Sequence, residues 1–202
     1  VFRRMLTWTI TKISRTVELA ALLTIGYIAT GFFVTPLVLI AVIVVLNDVV
    51  TITLATERSW ISSSPERWNV GKIAWLGGVL ATGWLILAFM ILWFVLTRLQ
   101  LPVPQIQALM FAYLMYTAQM TIYLSRTPGR CWSLRPGRFV VLATVGNIII
   151  ATVLAAGGFL MTPVSLTLLV IMFALVLLAT LLLDQIKIWL FARRPVEGSP
   201  KS

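Results

Sequence analysis

The chain has 202 residues, 60% of them hydrophobic and 11% charged, with a mean hydropathy of +1.01. Soluble domains run at about 45–50% apolar and 25% charged residues, so the composition excludes an ordinary soluble fold and implies an integral membrane protein. Cys131 alone excludes an internal disulfide, the lack of histidine excludes a Cys/His metal centre, and the formal charge of +10 sits at helix ends rather than in a basic, aromatic-rich stripe, which argues against nucleic acid as a partner.

Six apolar segments follow in order, at residues 10–29, 36–56, 73–96, 104–124, 138–158 and 164–192. Each reaches the ~20 residues that a bilayer core requires. Spans in lipid are helical because every backbone polar group must find its partner within the segment. The expected fold is therefore all-α, a membrane bundle of six transmembrane helices over 1–192, followed by a short polar tail at 193–202. No apolar run combines signal-peptide length with a small-residue cleavage site, so no processing is expected. Pro36, Pro104 and Pro163 stand where the second, fourth and sixth helices should open.

All 16 basic residues except Arg98 fall on one side of such a bundle. Both termini and the two long connections are therefore expected in the cytoplasm, the bilayer being the plasma membrane. Trp68, Trp75, Trp93, Trp132 and Trp189 lie near span ends, as interfacial anchors do. The connection RTPGRCWSLRPGR reads as a positive-inside loop, with an anion or lipid-headgroup site as the alternative. Gly77-Gly78 and Gly157-Gly158 are expected to let helices approach closely.

Three acids fall inside spans: Glu18, Asp48 and Asp184. Asp184 precedes Lys187 by three residues, which places both on one helix face as a local ion pair. Glu18 and Asp48 differ. Taking the first two spans as antiparallel neighbours, Glu18 lies about 16 Å before the outer turn and Asp48 about 18 Å after it, so both sit near the midplane. A carboxylate there is unfavourable by about 2.5–3.5 kcal/mol on insertion scales. Ser14 and Arg15 share the face of Glu18, and Asn47 and Thr51 accompany Asp48. Such a cluster can bind a cation through carboxylate, amide and hydroxyl oxygens, or hold a proton on a desolvated carboxylate. The structural alternative is an Arg15–Glu18 pair and a protonated Asp48 that only fastens helices.

The run VLNDVVTITLATERSWISSSPERWNVGKI is similar to the sixth membrane helix and following loop of P-type ATPases, in the plasma-membrane proton-pumping branch and its prokaryotic relatives. The matching residues are Asn47, Asp48, Thr51, Ile52, Ser64, Pro65 and Trp68. VFRRMLTWTITKIS resembles the entry of the fifth helix, SRTPGRCWSLRPGRFVVLA the loop between the eighth and ninth, and LLDQIKIWLFAR the tenth. The resemblance implies that Asp48 accepts and releases a transported proton, or another small cation, with Asn47 beside it. The family commonly carries an arginine in the fifth helix as partner to that Asp; here Glu18 takes the position, with Arg15 one turn away, and Val49 replaces a frequent glycine.

The family's phosphorylation and nucleotide motifs do not occur in this sequence. No catalytic residue is expected in the chain, and ATP and Mg²⁺ would belong to catalytic domains outside it. It reads as the C-terminal part of a pump that works with a missing N-terminal half. The alternatives are a stand-alone six-helix protein, as a passive cation pathway or pump partner, or an inactive remnant. A secondary transporter fits less well, because the two three-helix halves show no internal repeat.

Overall fold

Proline and serine mark where helices begin. The carbonyl of Pro36 accepts from the N–H groups of Leu39 and Ile40, at 3.0 and 3.1 Å, and that of Pro102 accepts from Gln105 and Ile106. Ser165 Oγ accepts from the N–H of Leu168 at 3.4 Å, as an N-cap does. A computed structural model describes residues 2–53, 70–127, 129–133 and 135–193, and every regular element within them is helical.

The helices are α1 (Phe2–Thr30), α2 (Leu37–Thr53), α3 (Val70–Phe94), α4 (Val103–Ser125), α5 (Arg138–Gly157) and α6 (Leu166–Arg193). A π-helical turn, Val95–Leu99, extends α3. Among the described residues, six α-helices stand where six were expected. Trp68, Ser64, Pro65 and the tail after 193 lie outside the described residues.

Among the described residues, four helices are long and apolar enough to cross a membrane, over Thr7–Thr30, Ile73–Leu99, Arg138–Gly157 and Leu166–Trp189, and Leu37–Thr53 is a shorter apolar helix. α4 is less apolar for a physical reason: it is the axis of the bundle. Every residue from Ala108 to Ile122 is buried, about four turns on all faces. α4 packs against all five other helices. Around it, α1 packs on α3, α3 on α6, α6 on α5 and α5 on α2.

That arrangement corrects one expectation. α1 and α2 follow each other in sequence, yet α1 packs chiefly on α3 and α4, and α2 on α5 and α4. α4, buried on all faces from Ala108 to Ile122, takes the central position that a simple hairpin of α1 and α2 would leave to α2.

Polar pairs tie α4 to its ring. Tyr113 Oη donates to the Trp84 carbonyl at 2.5 Å, Tyr116 meets Thr152 at 2.7 Å, Tyr123 meets Thr144 at 2.6 Å, and Thr11 meets Ser125 at 2.9 Å. Between helices in lipid such bonds average about 0.6 kcal/mol each. The glycine pairs divide. A Cβ on Gly77 would lie 2.9 Å from Ile13 Cγ2, so this glycine does allow α1 and α3 to approach closely, whereas Gly78 faces open space. Gly157-Gly158 instead ends α5: Gly158 has φ +73°, and the Phe159 N–H returns to the Leu154 carbonyl at 3.1 Å.

Candidate functional site

Lys12, Arg15 and Glu18 recur every three residues along α1, so they form one polar face. Arg15 Nη1 donates to Glu18 Oε2 at 2.7 Å and to Thr117 Oγ1 at 3.0 Å. The same Thr117 hydroxyl donates to Glu18 Oε1 at 3.0 Å. Glu18 is fully buried and Arg15 nearly so. The Arg15–Glu18 pair foreseen as the structural alternative is therefore present, and a threonine of α4 closes it into a triad.

Asp48 does not join Glu18. Its Oδ1 accepts from Lys12 Nζ at 2.5 Å, with the lysine side chain 38% and the aspartate side chain 54% exposed. Lys12 lies six residues before Glu18, about 9 Å of helix nearer the N-terminus. The two carboxylates thus each take a separate cation from α1. Asp48 is thus not buried between helices, as the structural alternative has it, but lies at the outside of the bundle against Lys12.

Asn47 Oδ1 accepts from Gln119 Nε2 of α4 at 3.0 Å, and Asn147 Nδ2 of α5 donates to the Leu46 carbonyl at 3.4 Å. Thr51 does not turn its hydroxyl toward the carboxylate; it donates back to the carbonyls of Asn47 at 2.6 Å and Asp48 at 3.2 Å. Ser14 is buried on α1, with its Oγ free of any hydrogen bond. Arg15 Nε and Nη2 and Gln119 Oε1 are likewise buried without partners. Such groups are uncommon in folded proteins and mark places that bind water or do chemistry. Four helices therefore contribute to one polar layer with two cations, two carboxylates, three amides and spare donors and acceptors.

Lys12, Thr117, Gln119 and Asn147 were not foreseen as site residues. Lys12 reads in the sequence as one of the topological charges. Gln119 and Asn147 carried a usable signal, because an amide within an apolar helix is costly for the same reason as Asp48.

Asp184 and Lys187 pair as expected, at 2.7 Å, but both are fully buried. Lys187 Nζ also donates to the Leu124 carbonyl at 3.1 Å, and both Asp184 oxygens accept from the Cys131 N–H, at 3.2 and 3.0 Å. This pair fixes the connection between α4 and α5 and stands apart from the polar layer.

No protein-family model matches the chain. It is 25% identical over 198 residues to a Methanocaldococcus jannaschii protein named "Putative cation-transporting ATPase", covering 98% of this chain and 25% of that protein. It is 26% identical over 169 residues to a Dictyostelium discoideum protein named "Probable plasma membrane ATPase", covering 79% of this chain and 16% of that protein. The chain therefore spans about a quarter or less of the length of these relatives. The matches support the relationship read from the sequence, to the membrane region of P-type ATPases.

Proposed function

We propose that this chain, related to the membrane region of P-type ATPases, is the C-terminal transport part of a cation-translocating pump whose ion is the proton. ATP and Mg²⁺ belong in this reading to catalytic domains outside the chain, and the missing N-terminal half of the pump is its partner. The bundle crosses the plasma membrane with both termini cytoplasmic.

The observation that carries the reading is the Lys12–Asp48 pair beside Asn47, in a segment otherwise apolar. A deprotonated Asp48 is balanced by Lys12. A proton arriving on Asp48 removes its charge and releases the lysine. When the proton leaves, the ammonium re-forms the pair. Asn47, held by Gln119, presents a fixed amide next to the carboxylate.

Charge balance favours the proton over a metal ion. Each carboxylate of the layer already has its own cation, Lys12 or Arg15. A metal ion would therefore meet a layer with no net negative charge, whereas such ions are bound by several uncompensated oxygens.

The test joins the chain to a family catalytic half and assays proton uptake in vesicles, with the parent chimera required to pump. Asp48→Asn keeps the shape but cannot titrate, so transport should stop while the protein still inserts and folds. Pumping at the parent rate would end the assignment. The topology is checked with single cysteines in a Cys131-free background: Gln100→Cys should label from outside, and Ser63→Cys and Ser199→Cys only after permeabilisation.

A further inference from the structure

The connection between α4 and α5 carries Arg126, Arg130, Arg135 and Arg138 and no acidic residue. Topology alone asks only that such charges lie on the cytoplasmic side; it does not ask for a fixed arrangement. Here the arrangement is fixed from beneath. The Cys131 N–H is held by both oxygens of Asp184, and Asp184 is itself fixed by the fully buried Lys187. Thr127 Oγ donates to the carbonyls of Gly129 and Arg130 at 3.2 and 3.0 Å, and the Ser133 N–H returns to Arg130 at 2.9 Å.

The consequence falls on the two neighbours of Cys131. Arg130 and Trp132 are both exposed, and the Arg130 guanidinium lies over the indole, 5.5 Å from its centroid. Stacking orders the guanidinium without occupying its N–H donors. Arg135 and Arg138 are exposed in the same connection, Arg138 being the first residue of α5. An ordered arginine, an indole suited to the membrane–water boundary and further cations at the mouth of a helix bundle match one partner: a phospholipid with an anionic headgroup.

We propose that the α4–α5 connection is a binding site for an anionic phospholipid, with Arg130 and Arg135 taking the phosphate and Trp132 packing at the level of the headgroup and glycerol. The buried Asp184–Lys187 pair acts as the positioning element that holds the connection in its binding shape. The inference rests on the chain being embedded in a bilayer and is independent of whether Asp48 carries a proton.

The experiment uses the full chain, purified in neutral detergent, with phosphatidylglycerol and phosphatidylcholine titrated separately and bound lipid counted by native mass spectrometry. The parent should bind phosphatidylglycerol more tightly than phosphatidylcholine. With each arginine near the surface contributing about fivefold, Arg130→Gln with Arg135→Gln should remove about twenty-five-fold of that preference. Arg98→Gln, at the other end of the bundle, should remove none. Asp184→Asn leaves every arginine in place, and a weakened preference in that variant supports the positioning role. The double arginine variant tests the site even if Asp184→Asn does not fold. Equal affinity for the two lipids, a preference surviving loss of both arginines, or an equal effect of Arg98→Gln would overturn the proposal. So would displacement of the lipid by millimolar inorganic phosphate, which would assign the arginines to a soluble anion.

Discussion

Lys12 of α1 and Asp48 of α2 form a direct ion pair, Nζ to Oδ1 at 2.5 Å, across the seam where the two helices make few other contacts. Both side chains are partly exposed on the outside of the bundle, where a charge within an apolar span is costly unless it is paired. In a double-mutant cycle, Lys12→Gln combined with Asp48→Asn should therefore lose less stability in unfolding experiments than the sum of the two single losses. Strictly additive effects would mean that the pair does not hold the seam.

Glu18 answers to a different rule, because it is fully buried with Arg15. Glu18→Ala strands a guanidinium that already has buried donors without partners, and should destabilise the chain by about 3–5 kcal/mol. Glu18→Gln keeps an acceptor and should be milder. In the pumping chimera it should slow transport less than Asp48→Asn. Denaturation in detergent checks the first statement and vesicle assays the second. A Glu18→Ala chain as stable as the parent would contradict the triad.

Gly77 and Gly78 are adjacent and should respond oppositely. A side chain at Gly77 would enter Ile13, while Gly78 faces open space. Gly77→Val should lower stability by about 1–3 kcal/mol through overpacking. Gly78→Ala should be neutral, or stabilise by up to about 1 kcal/mol through helix propensity. The reverse order in thermal melts would show that α1 and α3 do not meet at Gly77.

Cys131 lies outside the spans. Burial first, and then the Asp184 carboxylate, push its thiol up, with Lys187 opposing. A raised thiol holds less thiolate at a given pH, and the thiolate is the reactive form. Iodoacetamide should therefore modify the folded chain more slowly at pH 8 than the denatured chain, with its rate profile displaced to higher pH. Asp184→Asn should move the profile back down. Equal rates for the folded and denatured parent would remove the account.

The helices were legible in the sequence because apolar runs and proline positions carry local information. The 36–56 and 104–124 segments, for example, correspond to Leu37–Thr53 and Val103–Ser125. The Arg15–Glu18 and Asp184–Lys187 pairs were legible for the same reason, since three residues apart on a helix is a local relation. Partners across helices were not. Nothing in the chain's order shows that α4 stands between α1 and α2, so Thr117 and Gln119 could not be assigned to Glu18 and Asn47. The long reach of Lys12 to Asp48 was hidden by its second reading as a topological charge. Depth arithmetic along two helices cannot choose between cations one turn apart on the same face.

The central position of α4 also has a consequence for biogenesis. A helix enclosed on all sides has no face evolved for hydrocarbon, and this one brings Thr117, Gln119 and the hydroxyls of Tyr113, Tyr116 and Tyr123 with it. As it leaves the insertion machinery, the helices that will cover its far side, α5 and α6, have not yet been made. During that interval its polar groups must be shielded by α1, α2 and α3, by the machinery itself or by water. The bundle is thus completed by wrapping: the last two helices made close around a core laid down before them. A chain truncated after α4 should be retained by chaperones or degraded, however well its earlier helices insert.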